Sequence, residues 1–197
     1  MRPPLESQLF DYIAQYITLT DEERNAIIAL NLFRRYPKNT LLLRQGERSN
    51  KSYFVLKGCL RCFYLLEGDE KTTEFYTESQ SLSPVCAVNN EPSEYYIECV
   101  EDCILSVGTP DIEKDAFEKY PRLKSLCLTI SEEKLAENQA SYFRFKNSTA
   151  EQRYLYLMEN RAELLNRVPQ HQIASYLGVQ PESLSRIRKR LSTRSIA

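Results

Sequence analysis

The stretch SRIRKRLSTR, Ser185 to Arg194, contains Arg186, Arg188, Lys189, Arg190 and Arg194 and no acid. Lys and Arg at this density bind phosphate, and Arg can also bond both acceptors of a guanine in the major groove. The whole chain has a formal net charge of −1, so the cluster is a local feature. From residue 147 onward eight basic side chains stand against four acidic ones, a balance of +4 that leaves −5 for the remainder. Such asymmetry marks a basic module joined to an acidic one. A plainer reading is a solvated helix end whose cations complement the helix dipole.

Two other groups of residues could carry chemistry. Cys59 and Cys62 form a CxxC in SYFVLKGCLRCFYLL, a run rich in strand formers. A spacing of three in a strand turns the two thiols to opposite faces, so they cannot share an ion without a bulge. Cys99 and Cys103 could share a face only if Glu101 and Asp102 leave their strand unbroken. Buried apolar thiols are the favoured reading of the six cysteines, an iron–sulfur sensor the lesser one, and no metal site is expected. The single histidine, His171, leaves little for acid–base work, and no P-loop, GxGxxG, Gly-x-Ser-x-Gly or His-Glu-x-x-His occurs. An enzyme is the least supported class.

The elements that would position the basic cluster can be read from spacing. Pro169 to Leu177 forms a short helix with Ile173 and Leu177 inward and the small Ala174 where a second helix comes close. Gly178 supplies the turn and Val179 plugs it. Pro181 suits the first position of the next helix, which buries Leu184, Ile187 and Leu191. Gln180, Glu182, Ser183, Ser185, Arg186, Lys189 and Arg190 are left on its other faces. This is helix-turn-helix geometry: Arg186 and Glu182 could read bases, Ser185 and Gln180 either edge, and the remaining cations hold phosphates. Gln170 and His171, at the start of the first helix, could meet a phosphate, although a plain exposed residue is the favoured reading of His171.

Composition agrees with a soluble globular chain of one large or two small domains: 197 residues, 42% hydrophobic, 27% charged, five glycines. MRPPLESQLFDYI lacks the apolar core of a secretory signal and no run spans a membrane, so a cytoplasmic location is expected. Residues 5 to 35 read as helices, with Thr20 and Glu23 as a capping box. Thr40 to Val107 reads as short strands broken by Gly46-Glu47, Gly68-Asp69 and Asn89 to Ser93, an antiparallel barrel or roll. DIEKDAFEKY is a short helix and Pro121 opens a long one to about residue 145. Leu123, Leu126, Cys127 and Ile130 form one stripe on it, to pack on the roll; Leu128, Leu135 and Tyr142 form a second, favoured as a homodimer interface. STAEQRYLYLMENRAELLNR follows as one helix capped by Ser148.

In this order the parts resemble the cAMP receptor protein/Fnr (Crp/Fnr) superfamily of transcription regulators. Arg44 and Gly46, Leu56-Lys57-Gly58 and Gly68-Asp69 resemble the first half of a cyclic-nucleotide-binding β roll; QIASYLGVQPESLSRIRKRL resembles the family's helix-turn-helix, with Glu182 and Arg186 where relatives commonly touch bases. The resemblance implies an α+β fold: an N-terminal antiparallel, jelly-roll-like β roll (1–120), a long dimerisation helix (121–146) and a helix-turn-helix domain (147–197). Only six residues follow Leu191, so little or no wing is expected, and Pro181 replaces a base-reading Arg of many relatives. The family's cassette with its Glu and Arg for the cyclic nucleotide has no counterpart, and no Arg or Lys occurs from Glu74 through Asp102. A buried phosphate without a cation is unfavourable. Ordinary cAMP binding is therefore not expected and no cofactor is assigned; Ser79, Ser81 and Tyr95 remain to line a pocket for another ligand, unless nothing binds.

The expected function is a homodimeric, sequence-specific DNA-binding regulator. Its partners would be double-stranded DNA and RNA polymerase, with no membrane. The competing reading is a small-molecule or protein-binding module whose helix-turn-helix no longer binds DNA.

Overall fold

The computed structural model describes residues 5–194. It opens with α1 (Leu5–Ile13) and α2 (Asp21–Ala29). The capping box forms as expected: the Thr20 hydroxyl accepts from the Glu23 N–H at 3.2 Å, and the Glu23 carboxylate accepts from the Thr20 N–H at 2.8 Å. Helix ends earlier than residue 35, however. Asn31 takes φ 47°, and Phe33–Tyr36 becomes strand β1. A left-handed residue cannot continue a helix, and FRRY finds a ladder partner at the far end of the roll.

The roll consists of β1 with β2 (Leu41–Leu43), β3 (Ser52–Lys57), β4 (Leu60–Leu66), β5 (Asp69–Tyr76), β6 (Ser81–Leu82), β7 (Tyr96–Cys99) and β8 (Cys103–Gly108), and a short helix α3 (Val85–Asn89) precedes β7. Two antiparallel sheets result, ordered β1-β8-β3-β6 and β2-β7-β4-β5. The tightest hairpin joins β4 to β5, where Glu67 at φ 54° and Gly68 at φ 87° form the two-residue turn whose twist suits paired strands. Gly58 is required between β3 and β4: at φ 107°, a Cβ there would lie 2.9 Å from the Asp102 carbonyl oxygen.

Alternation along the strands sorts the side chains into two layers. Leu43, Tyr53, Val55, Leu60, Cys62, Leu82, Tyr95, Ile97, Cys99 and Leu105 fill the space between the sheets. Cys59 lies in a different cluster from Cys62, as the odd spacing predicts. Glu101 and Asp102 do break the strand, so Cys99 and Cys103 end two strands in different sheets.

After the roll come α4 (Pro110–Lys119), the long α5 (Pro121–Asn147), α6 (Ala150–Asn160), α7 (Leu164–Arg167), α8 (Gln170–Tyr176) and α9 (Pro181–Arg194). Leu123, Leu126 and Ile130 of α5 pack against Phe10, Ile13, Leu19 and Ile27. That stripe therefore meets the N-terminal helices and not the roll, and Cys127 is exposed outside it. The cap of α6 is Thr149, which forms a capping box with Gln152 and displaces the expected Ser148 and Glu151. The single helix expected after it is two, because the chain turns at Arg161 (φ −146°, ψ 44°). No helix among the described residues is long and apolar enough to cross a membrane.

A second apolar cluster crosses from one half of the molecule to the other. Cys59, Phe75 and Val100 of the roll join Tyr154, Leu157, Leu164, Ile173, Leu184 and Ile187 of the C-terminal helices. Phe75 is fully buried there and meets Tyr176 edge-on, ring centroids 5.3 Å apart. Phe75→Ala is expected to cost about 3–5 kcal/mol, read by urea unfolding, with the roll and the C-terminal helices losing cooperativity together.

Candidate nucleic-acid interface

Helices α8 and α9 form the motif that the spacing predicts. Ile173, Ala174, Leu177, Leu184 and Ile187 are buried between them, with Val179 and Leu191 packed at the margin. Gly178 has φ 68°, and the Val179 N–H donates to the Ala174 carbonyl at 3.0 Å to close the turn. A Cβ at Gly178 would come within 3.2 Å of the Phe145 ring, so the turn also lies hard against the end of α5. Arg153 binds these pieces together. Its guanidinium lies 4.4 Å from the Phe145 ring centre and donates to the carbonyls of Leu177 at 2.9 Å and Ser148 at 2.6 Å.

The outer face of α9 is open. Glu182, Ser183, Ser185, Arg186, Arg188, Lys189 and Arg190 are exposed, as are Gln170, His171 and Gln180, and Pro181 is half-buried at the helix start. The Gln170 side-chain amide donates to the Ser185 hydroxyl at 3.1 Å, tying the start of α8 to the first turns of α9. Arg190 is engaged by Glu151 of α6, so this cation is partly neutralised within the chain. Arg186 and Lys189 point outward among the described residues without an ion pair. The side chain of Arg194 and the tail from residue 195 lie outside the described residues.

Side chains far apart in the sequence attach this motif to the roll. Arg161 donates to the Glu74 carboxylate at 2.9 Å and to the Phe75 carbonyl at 2.8 Å. Arg167 donates to both oxygens of Glu78, each at 2.8 Å, and to Glu101 at 2.9 Å through Nε. The Ser175 hydroxyl donates to the Glu70 carbonyl and accepts from the Thr72 N–H, both at 2.8 Å. Burial by itself would raise the Glu78 carboxyl, but the Arg167 guanidinium and the Gly58 N–H hold it below the usual carboxylate range. The Arg167 guanidinium is pushed upward by its bond to Glu78 and stays charged.

The three polar residues proposed for an effector are not brought together. Ser79 is an exposed turn residue at φ 64°. Ser81 lies on the edge strand β6 next to the inward Leu82, hence on the opposite face. Tyr95 is buried between the sheets, and its hydroxyl accepts from the Val85 N–H at 3.0 Å. The space between the sheets is taken by side chains that carry no charge: burial pushes the Tyr53 and Tyr95 hydroxyls up to about 12 and raises the Cys62 thiol too. Arg61, in β4, is buried on the outer face instead, bonded to Glu98 at 2.7 Å and to Glu70 at 2.6 Å.

Residues 33–120 match the cyclic nucleotide-binding domain family. Solved structures carry the likeness across most of the chain. The c-di-GMP-responsive global regulator CLP of Xanthomonas campestris is 17% identical, with a TM-score of 0.66 over 87% of this chain and 93% of that one. FixK2 of Bradyrhizobium japonicum is 19% identical, with a TM-score of 0.68 over 83% and 85%. This chain shares their fold. The catabolite activator protein of Thermus thermophilus, 21% identical with a TM-score of 0.51, aligns over 91% of this chain and 87% of its own. A comparison with curated proteins by sequence returns no match. Within this fold, residues 33–120 cover the roll from β1 through α4, and the α8–α9 motif lies outside that match.

Gly178→Ala must place a Cβ at positive φ against Phe145, so it is expected to cost at least about 1 kcal/mol in urea unfolding. A second expectation concerns pH. Because Glu78 has a lowered folded pKa, its contribution is complete above the ordinary carboxylate value and is lost as the pH falls through the lower folded value. Unfolding midpoints measured downward from pH 7 should stay level to about pH 5 and then drop, and Glu78→Gln should make that drop shallower.

Proposed function

We propose that this chain is a DNA-binding transcription regulator that works as a homodimer and reads sequence through α9. The observation that carries the reading is the open face of α9, with Glu182, Ser185, Arg186 and Lys189 outward, on a helix fixed at its buried side by Ala174, Leu184 and Ile187. A helix of this width enters a major groove, where Arg186 can bond guanine and Glu182 can accept from cytosine. Lys189, Arg188 and, after release from Glu151, Arg190 hold phosphates. Gln170, His171, Gln180, Pro181 and Ser183 complete the surface around them.

Dimerisation is supported by the second half of α5. From residue 131 to 147 nearly every side chain is exposed, including Leu135, Tyr142, Phe143 and Phe145, and Leu128 just before it. An isolated helix of that length is marginal in water, and an apolar repeat of seven residues fits a second copy laid alongside. The roll is proposed not to bind cAMP in the usual way, since its inner layer holds neutral tyrosines and thiols and its buried cation, Arg61, faces outward. RNA polymerase is a further proposed partner, the cytoplasm the proposed location, and no catalytic activity is assigned.

Binding of the Arg186→Ala variant to a randomised operator pool tests the reading. It should lose about 1–3 kcal/mol of preference at one position per half-site. Lys189→Ala should weaken binding to all sequences alike and lower the slope of affinity against salt by about one. An Arg186→Ala variant with unchanged sequence preference would remove α9 from the reading position. A parent protein that retains no DNA even at low salt would leave the binding-module reading in its place.

A further inference from the structure

The contacts between the C-terminal helices and the roll are of three physical kinds: apolar burial, the two Ser175 hydrogen bonds to the backbone of β5, and the arginine–carboxylate pairs. Phe75, Cys59 and Val100 supply apolar burial, which holds surfaces together without fixing their angle. The arginines supply direction. Arg167 grips Glu78 with two parallel bonds at 2.8 Å and reaches Glu101 through Nε at 2.9 Å, while Arg161 spans Glu74 and the Phe75 carbonyl at 2.9 and 2.8 Å. Bidentate guanidinium–carboxylate pairs constrain distance and angle together. Partly buried ion pairs add little net stability over apolar packing, because desolvation offsets much of the attraction. Their distinctive contribution is therefore geometric.

The chain is bent to make these bonds. Arg161 sits at the break between α6 and α7, and Arg167 at the end of α7, a helix of four residues. Neither touches the outer face of α9, and no residue of the roll covers Glu182, Arg186 or Lys189 among the described contacts. The docked arrangement thus holds the reading face clear of the protein.

We propose that Arg161 and Arg167 are positioning residues that lock the helix-turn-helix in one orientation to β5, to the turn that follows it and to the loop between β7 and β8, and so fix the separation of the two reading helices in the dimer. This rests on the DNA-reading assignment made above. A fixed separation lets both helices engage only half-sites at one spacing, whereas a loosened domain can follow several spacings at the cost of ordering itself on each.

The test uses the full-length protein, with parent and the double variant Arg161→Gln/Arg167→Gln bound to the operator recovered from a random pool, and to versions with one or two base pairs added or removed between half-sites. The parent should lose roughly 10²-fold in affinity over two base pairs. The double variant should bind the native spacing roughly tenfold more weakly and vary only about threefold across the series. Arg167→Lys keeps the charge but not the two-pronged fit and should lie between them. If the double variant fails to fold, judged by circular dichroism, Arg167→Lys alone decides: a spacing profile identical to the parent's overturns the proposal.

Amide exchange without DNA judges the clamp separately. In the variants, protection should fall together along β5 and α8. Unchanged protection, or a parent indifferent to spacing, overturns the lock. A parent that binds no DNA, with exchange still responding to the variants, overturns the DNA-reading assignment and the positioning role while leaving a clamp of other purpose.

Discussion

Strand β5 serves two cores at once. Its backbone pairs with β4 inside the roll, and the Phe75 ring, the Glu74 carboxylate and the Thr72 N–H form the floor on which α6 to α8 rest. Tyr76, one residue further, packs with the inner layer. The alternation of a single strand thus joins two apolar clusters into one body.

This coupling explains the form of the C-terminal half. An uninterrupted helix from residue 150 to 167 would satisfy local propensity, but it would carry Arg161 and Arg167 past their acids on the roll. The break after Asn160 and the short α7 bring both guanidinia to Glu74, Glu78 and Glu101. Ser175 then completes the docking by closing two backbone groups of β5 that would otherwise lie unpaired beside α8. The basic surplus of the C-terminal segment is consequently shared between two uses: Arg153, Arg161 and Arg167 hold the architecture, and Arg186, Arg188 and Lys189 remain on the surface.

Features set by near neighbours were legible in the sequence. Ala174, Gly178, Val179, Leu184 and Ile187 lie within fourteen residues of one another, and their spacing alone marks the turn between α8 and α9. The capping box at Thr20, the opposite facing of Cys59 and Cys62 and the Gly68 hairpin are local in the same sense. Distant pairings were not legible. Arg161 meets an acid 87 residues away and Arg167 one 89 residues away, and no periodicity records such a partner. FRRY follows an amphipathic helix and continues its pattern locally, and only its pairing with β8 across the roll makes it strand β1. Ser79, Ser81 and Tyr95 are close in sequence, but one lies in an exposed turn, one on the outer face of an edge strand and one between the sheets, which composition cannot convey.

Retention of genomic or random fragments by the full-length protein at moderate salt, followed by sequencing of what is bound, shows whether α9 reads DNA as one of a symmetric pair. Enrichment of an inverted repeat with half-site centres about one helical turn apart is expected. Fragments recovered without any shared sequence, or no retention at all, would contradict it.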